Sequence, residues 1–149
     1  LESIINAKKT FNLLINNYPN NEYSLDAEFK LDLINDILAS KEMYIGRYYF
    51  QRKKWIPAIN RFKTVIDEYE RTIYAEEALH RLVEVYYTIG LVEEAKKYAK
   101  LLGYNYQSSE WYEKTYIVFD KMYEKKKKKK MKEKRSLVKK IKSLVEWDG

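Results

Sequence analysis

The chain has 149 residues, 46% of them hydrophobic, which is enough for one compact domain or a short solenoid. It contains no cysteine, which excludes disulfides, thiolate metal sites and a cysteine nucleophile. The formal net charge of +7 is uneven, because residues 121–149 hold 13 of the 29 Lys and Arg and 4 of the 22 Asp and Glu. That segment carries +9 and residues 1–120 carry −2, so the basic charge belongs to a tail and not to a groove in the fold.

Only four Gly and two Pro occur, too few turn-forming residues for an all-β sandwich, and we predict an all-α fold. No apolar run approaches the ~18 residues of a membrane span. The chain starts with neither a signal peptide nor an initiator Met, and we expect it to be part of a longer protein.

The first predicted element is the second helix of an incomplete repeat. Its small and apolar positions are followed by a Tyr-Pro-Asn turn, and no first helix precedes it. The positions that carry this prediction are Ala7, Phe11, Leu14 and Pro19.

One long helix is predicted next, from Ser24 to about Arg52, because Gly and Pro are absent until Gly46. Ser24 is a residue type that caps helix N-termini, and we expect it to do so here. The apolar residues that fall mostly at helical spacing along this segment are Phe29, Leu33, Ile37, Tyr44 and Tyr48.

Two complete copies of a helix pair follow, and they resemble the tetratricopeptide pattern of small and aromatic residues at fixed spacing. The first copy spans about 39–72 and matches at Ile45, Gly46, Tyr49, Ala58, Phe62 and Val65. Gly46 is expected to let the two helices approach closely, and Tyr49 to fill the space between them. An ordinary helix bundle that matches the pattern by chance is the alternative.

The second copy, at about 76–109, places Gly90 and Leu91 in the turn between its helices. Val83 stands where the close-approach glycine would be and Ala99 replaces the aromatic residue, so we expect looser or shifted packing. The matching positions are Leu79, Leu82, Tyr86, Ala95, Ala99 and Leu102.

The C-terminal part is predicted as a lysine-rich segment at 121–135 and an amphipathic helix at 136–149. We expect the helix to bury its apolar stripe on the last repeat or on a neighbouring chain. An interfacial helix on anionic lipid is the second possibility, and nucleic acid the third. The stripe consists of Leu137, Val138, Ile141, Leu144 and Val145.

Together, these segments resemble the BamD family of outer-membrane assembly lipoproteins over roughly residues 1–120. The sequence departs from the family at Gln107, where family members tend to carry Pro, and nothing in the family matches the lysine-rich tail. The segments that carry it are Phe11, Tyr18-Pro19-Asn20, Tyr23, Asp26-Ala27, Tyr44 to Tyr49, Ala58 to Phe62, Glu77-Ala78-Leu79, Ala95, Leu102 to Tyr106 and Ser109 to Tyr112.

The resemblance implies a non-catalytic scaffold without cofactor, lipid-anchored at the periplasmic face of the bacterial outer membrane. It implies that this part docks the POTRA domains of the β-barrel insertase BamA and the accessory lipoproteins, and that the N-terminal repeats of the family contact unfolded outer-membrane proteins. It implies no nucleic-acid partner. The lipidated cysteine and two earlier repeats of the family are expected upstream of this sequence.

Arg61 is the leading candidate for partner binding. The resemblance places the family's insertase-facing arginine in the Ala-x-Asn-Arg sequence, which is Asn60-Arg61 here. A planar guanidinium suits a bidentate contact with a partner carboxylate. The alternative is a solvated arginine that pairs with Asp67 or Glu68.

Further candidates lie on the first helix of each copy, which lines the concave face in tetratricopeptide repeats. Tyrosine suits binding surfaces because its ring buries a large area at low entropic cost. For any single tyrosine, a place in the core is the alternative. These candidates are Arg47, Tyr48, Gln51, Glu84 and Tyr87.

Catalysis is not expected. His80 is the only histidine, and we expect it at the surface because no partners for a metal or general-base role can be found. No phosphate-binding loop, nucleophile elbow or zinc-protease motif occurs. The alternative to a scaffold is a module that binds a membrane surface or nucleic acid through its basic tail.

Overall fold

A computed structural model describes residues 1–120, 131–133 and 136–138 of the chain. The described residues contain no strand, which confirms the all-α prediction. Residues 110–120 are helical as well, and each helix from α1 to α5 packs against the next, as in tetratricopeptide repeats. The helices are α1 (Glu2–Asn17), α2 (Glu22–Gln51), α3 (Trp55–Glu68), α4 (Ala75–Thr88) and α5 (Val92–Asn105).

The long helix is confirmed as α2, but its predicted N-cap is wrong. Asn21 caps α2, since its side chain accepts a hydrogen bond of 3.0 Å from the backbone N–H of Tyr23. Ser24 lies inside the first turn, fully buried, and its hydroxyl donates to the carbonyl of Tyr18. Ser24 therefore ties α2 to the turn after α1. Asn and Ser both cap helices well, so residue type alone does not separate the two positions.

Close approach of α2 and α3 depends on Gly46, as predicted. A Cβ atom at Gly46 would lie 2.5 Å from Cε1 of Phe62, well inside van der Waals contact. Phe62 and Ala58 are fully buried on the facing side of α3, and Tyr49 packs beside them, partly buried. Glycine is thus the residue that lets a phenyl ring sit directly against the backbone of α2.

The second pair, α4 and α5, is joined by a turn in which Gly90 has a φ of +89°, a conformation that favours glycine. The aromatic contact between α4 and α5 differs from the one between α2 and α3. Tyr98, one residue before Ala99, stacks on Tyr86 with ring centroids 5.5 Å apart and planes inclined by 4°. Val83 is fully buried where the first pair has its glycine. The packing is therefore shifted by one residue on α5.

One apolar core runs through the three central helices. Its fully buried members include Met43 on α2, Phe62 on α3 and Leu82 on α4. Helix α1 contributes only partly buried side chains to it. These contributions from α1 are Ile4, Ala7 and Phe11.

The chain divides into two compact units, Leu1–Tyr112 and Glu113–Gly149. In the second unit, residues 131–133 and 136–138 are helical. The rest of the lysine-rich segment and of the predicted C-terminal amphipathic helix lies outside the described residues. Of the helices that are described, none combines the length and the apolar character that crossing a membrane requires.

Candidate partner-binding surface

Arg61 lies on α3 and reaches across to α2. Its Nη1 donates a hydrogen bond of 2.9 Å to Oε2 of Glu42, and its side chain remains 43% exposed. This hydrogen bond, supported by the negative charge of Glu42, raises the pKa of Arg61 above its usual value. The guanidinium is therefore held in place at one edge while part of it faces solvent. Because arginine carries five N–H donors, it can bind a second carboxylate at the same time.

The expected alternative for Arg61, pairing with Asp67 or Glu68, is wrong. Its partner is Glu42, which lies 19 residues earlier on the neighbouring helix and is largely buried, with 16% of its side chain exposed. Glu42 was missed because only the packing of α2 against α3 brings the two residues together. Asn60, beside Arg61, is exposed, and its backbone carbonyl accepts a hydrogen bond from the Thr64 hydroxyl.

A second group of charges connects α2 with α4. Arg47 binds Glu77 through two hydrogen bonds, Nε to Oε1 at 2.8 Å and Nη2 to Oε2 at 2.5 Å. Arg81 donates to the same Glu77 at 3.3 Å and to Glu84 at 2.7 Å. Two of the predicted contact residues, Arg47 and Glu84, thus belong to an ion-pair ladder within the protein.

Glu77 is the buried member of this ladder, only 8% exposed. Burial by itself would raise the pKa of Glu77, but the hydrogen bonds and charges of Arg47 and Arg81 outweigh it and lower that pKa below its usual value. The bond to Glu77 also raises the pKa of Arg47. A two-pronged contact of this kind fixes the angle between helices more strictly than a single bond.

The remaining predicted contact residues are distributed over α2 and α4. Tyr48 is 45% exposed, and the guanidinium of Arg52 lies 4.3 Å from its ring centroid. Gln51 is exposed one turn further along α2. Tyr87 on α4 is partly buried. Tyr48 and Gln51 therefore present free surface to a partner, whereas Tyr87 presents only part of its ring.

The expectation that His80 is a surface residue is wrong. His80 is 4% exposed, with Nε2 3.5 Å from Oε2 of Glu84. Its ring centroid lies 5.3 Å from that of Trp111, and Arg81 lies over the same indole at 5.6 Å. His80 is buried because the chain after α5 brings Trp111 back onto α4, a tertiary contact that the helical pattern of α4 does not show.

The fold places this protein among the helical-repeat proteins of the tetratricopeptide type. The family described as YfiO, outer membrane lipoprotein, matches residues 1–102, and the chain belongs to this family. Within the described residues, no group of three or more His, Cys, Asp or Glu side chains is arranged to hold a metal ion.

Proteins from several bacteria are similar to this chain over most of its length. The chain is 51% identical over 110 residues to the outer membrane protein assembly factor BamD of Rickettsia prowazekii, covering 74% of this chain and 44% of the relative. It is 50% identical over 99 residues to the BamD of Caulobacter vibrioides, covering 66% of this chain and 32% of the relative. Against the BamD of Neisseria meningitidis serogroup A, the identity is 33% over 103 residues. The chain spans less than half the length of these relatives.

Proposed function

We propose that this chain is a non-catalytic scaffold of the outer-membrane β-barrel assembly machinery. In this role it docks the POTRA region of a BamA-like insertase and the accessory lipoproteins of the complex. Family membership and the relatives named as outer membrane protein assembly factors support the general role. The proposed site of action is the periplasmic face of the outer membrane, where a lipid anchor upstream of this sequence would hold the full-length protein.

The half-exposed, pre-positioned guanidinium of Arg61 is the observation that carries the docking proposal. Glu42 holds one edge of it, so little side-chain entropy is lost when a partner carboxylate binds the other edge. A charged hydrogen bond that becomes buried at an interface contributes more to affinity than one at its rim. Arg61 is therefore the anchor, and Asn60 is the adjacent polar contact.

The other candidate residues fall into two groups, those whose side chains are exposed and those that form ion pairs within the protein. Tyr48 and Gln51 are exposed on α2 and are proposed as direct contacts. Arg47 and Glu84 act within the ladder that sets the angle between α2 and α4. Tyr87 adds the exposed part of its ring on α4. Unfolded outer-membrane proteins are a further proposed partner of the full-length protein.

The experiment is a pull-down of the soluble POTRA region of the cognate insertase by the 149-residue chain and by its Arg61→Glu variant. Reversing the charge should abolish capture, because a partner carboxylate then meets a like charge. Lys97→Glu is the matched control, since Lys97 on α5 makes the same charge change at a side chain that is 72% exposed. Capture by Arg61→Glu at the wild-type level, with unchanged helicity and melting temperature, would show that Arg61 is not the anchor.

A second candidate function rests on the charge of the C-terminal segment, where residues 125–130 are all Lys and residues 121–149 carry +9. Such a segment binds anionic membrane surfaces or nucleic acid in a salt-dependent way. Deletion of residues 125–149 separates the two functions. The scaffold proposal predicts that POTRA capture survives the deletion, whereas loss of capture with salt-sensitive binding to anionic vesicles would favour the second function.

A further inference from the structure

One face of α5 combines lysines with exposed aromatic and aliphatic side chains. Lys96, Lys100 and Tyr104 recur every four residues, and Lys97 and Leu101 lie beside them. On a helical wheel at ~100° per residue, the five positions fall within an arc of about 140°. Tyr104 is 85% exposed and Leu101 is 39% exposed, and a shallow depression of about 480 Å³ lies among the five side chains. These five residues form what we call the α5 face.

The α5 face lies on the side of the helix opposite the one that packs against α4. The buried residues of α5 are Ala95 and Leu102, and both project about 170° from the centre of the face. The side chains of Lys96 and Lys97 are 52% and 72% exposed. A flat partner can therefore reach the whole α5 face without disturbing the contact of α5 with α4.

The charge of the α5 face is positive, although the body of the protein is slightly acidic. Glu93 is the one acidic residue within the same arc, and Lys96 binds it at 2.8 Å; Glu94, at the edge of the arc, lies 3.9 Å from Lys97. The hydrogen bond from Lys96, together with the charges of Lys96 and Lys100, lowers the pKa of Glu93 below its usual value. Three lysines against Glu93 leave +2 within the arc, whereas residues 1–120 carry −2.

The composition of the α5 face fits a lipid surface better than a protein. Lysine is strongly hydrated and mobile, and it is depleted from the cores of protein–protein interfaces. A layer of lipid headgroups does not require fixed hydrogen-bond angles, and the aliphatic stem of a lysine can lie along its apolar boundary. Exposed Tyr104 and Leu101 are residue types that enter the headgroup region of a membrane.

We propose that the α5 face binds the anionic phospholipid headgroups of a membrane surface. The three lysines attract the headgroup phosphates, while Tyr104 and Leu101 bury part of their side chains at the headgroup level. The family of this chain is described as an outer membrane lipoprotein, which supports a membrane surface as the partner. Because the rest of the body is slightly acidic, such a contact would also orient the body on the membrane.

The first test is co-sedimentation of the 149-residue chain with vesicles of phosphatidylglycerol and phosphatidylcholine, and with vesicles of phosphatidylcholine alone. The wild-type chain should bind only the anionic vesicles, and less strongly as salt is added. A lysine near an anionic surface contributes about fivefold to the partition coefficient. The combined change Lys96→Gln, Lys97→Gln and Lys100→Gln should therefore lower the partition coefficient by about 100-fold.

The matched control removes three charges from exposed lysines on other elements. Its changes are Lys9→Gln on α1, Lys41→Gln on α2 and Lys54→Gln before α3, and it should lose less than about fivefold. Both variants keep the lysine-rich C-terminal segment, so the contribution of that segment cancels between them. Equal losses in the two variants, or no binding of the wild-type chain to anionic vesicles, would overturn the proposal.

The second test locates the contact with a fluorescent label, which the lack of native cysteine makes specific. The emission of a polarity-sensitive fluorophore attached at Tyr104→Cys should shift to shorter wavelength when anionic vesicles are added. The same label at Ile73→Cys is the control and should not shift, because Ile73 is 75% exposed in the turn between α3 and α4. Labels that respond alike, or a shift at Ile73→Cys alone, contradict the proposal.

An acidic protein is the other possible occupant of the α5 face. Vesicle binding at the wild-type level by the α5 triple variant, together with reduced capture of the soluble POTRA region, would assign the face to a protein and refute the lipid contact. The proposal does not depend on POTRA docking. The pull-down contains no lipid, so Lys97→Glu remains a valid control there, and a chain with Arg61→Glu should keep the shift of the label at Tyr104→Cys.

Discussion

The two helix pairs, α2 with α3 and α4 with α5, follow the same repeat pattern but achieve close packing differently. In the first pair, glycine at position 46 lets the Phe62 ring contact the backbone of α2. In the second pair, Val83 occupies the corresponding site and the aromatic contact moves to a stack of Tyr86 on Tyr98. A repeat pattern therefore specifies that helices pair, while the identity of a few residues decides how closely.

The difference also affects what each pair can present to a partner. The first pair buries a full aromatic ring and places the Arg61–Glu42 ion pair at its surface. The second pair keeps Tyr98 only partly buried, and its exposed face on α5 is rich in Lys. The first pair therefore presents the guanidinium of Arg61 from a closely packed pair of helices, and close packing positions a binding residue with less loss of entropy.

The largest effect that would test this comparison is expected from Phe62→Ala. Removing a fully buried ring should lower the free energy of unfolding by about 3–5 kcal/mol. Tyr98→Ala should cost clearly less, because that ring is only partly buried. Urea denaturation followed by circular dichroism measures both values. Equal costs would contradict the claim that the first pair packs more tightly.

Glu77→Gln should lower stability by about 1–3 kcal/mol at neutral pH, because Arg47 and Arg81 lose their shared carboxylate. The pKa of Glu77 is lowered in the folded protein, so its contribution is complete above the ordinary carboxyl value of 4.5. That contribution disappears as the pH falls below 4.5 through the lower folded pKa. Melting temperatures of wild type and Glu77→Gln should therefore converge in acid; a constant difference between them would contradict the ladder.

Gly46→Ala should cost about 1–2 kcal/mol, even though alanine favours helix by about 1 kcal/mol over glycine, because its Cβ collides with Phe62. Thermal unfolding measures the loss. Combining Gly46→Ala with Phe62→Leu provides the check, because the smaller side chain removes the collision. The double variant should therefore lose less stability than the two single variants lose in total. Simple additivity would show that Gly46 and Phe62 do not interact.

The smallest effect concerns the stack of Tyr86 and Tyr98, whose coupling should be about 0.5–1.5 kcal/mol in a double-mutant cycle with leucine. Burial, together with the charges nearby, raises the pKa of Tyr98 from 10.0 to about 12. The stabilisation that the neutral Tyr98 phenol gives the folded state is therefore complete below pH 10 and is lost as the pH rises through 12. Absorbance titration of the phenolate at alkaline pH reports this; an ordinary pKa in Tyr98 would mean that the stack is open.

Much of the fold was accessible from sequence, because it depends on local spacing. The length of α2, the close approach at Gly46 and the turn at Gly90 all follow from residue types at fixed positions. The capping residue of α2 could not be predicted from the sequence, because Asn21 and Ser24 are both good caps and only the path of the preceding turn separates them.

The charged contacts of the candidate surface were the least predictable part. The partner of Arg61 and the burial of His80 both depend on a segment distant in sequence that folds back onto the helix. The exposure of Phe29, Leu33 and Ile37 on α2 could not be predicted from the local sequence either, because an apolar row at helical spacing is typical of a core face. Only the packing of α1 and α3 on the other side of α2 shows that this row faces solvent.

The central claim, that Arg61 anchors a POTRA-type partner, is tested most directly by isothermal titration of the soluble POTRA region into wild-type and Arg61→Glu chains. We expect the dissociation constant to rise at least about 30-fold in Arg61→Glu, corresponding to about 2 kcal/mol or more. Glu42→Gln should cause a much smaller rise, because it leaves the charge of Arg61 in place. A dissociation constant for Arg61→Glu equal to that of wild type, in a variant with unchanged melting temperature, would show that Arg61 does not anchor the partner.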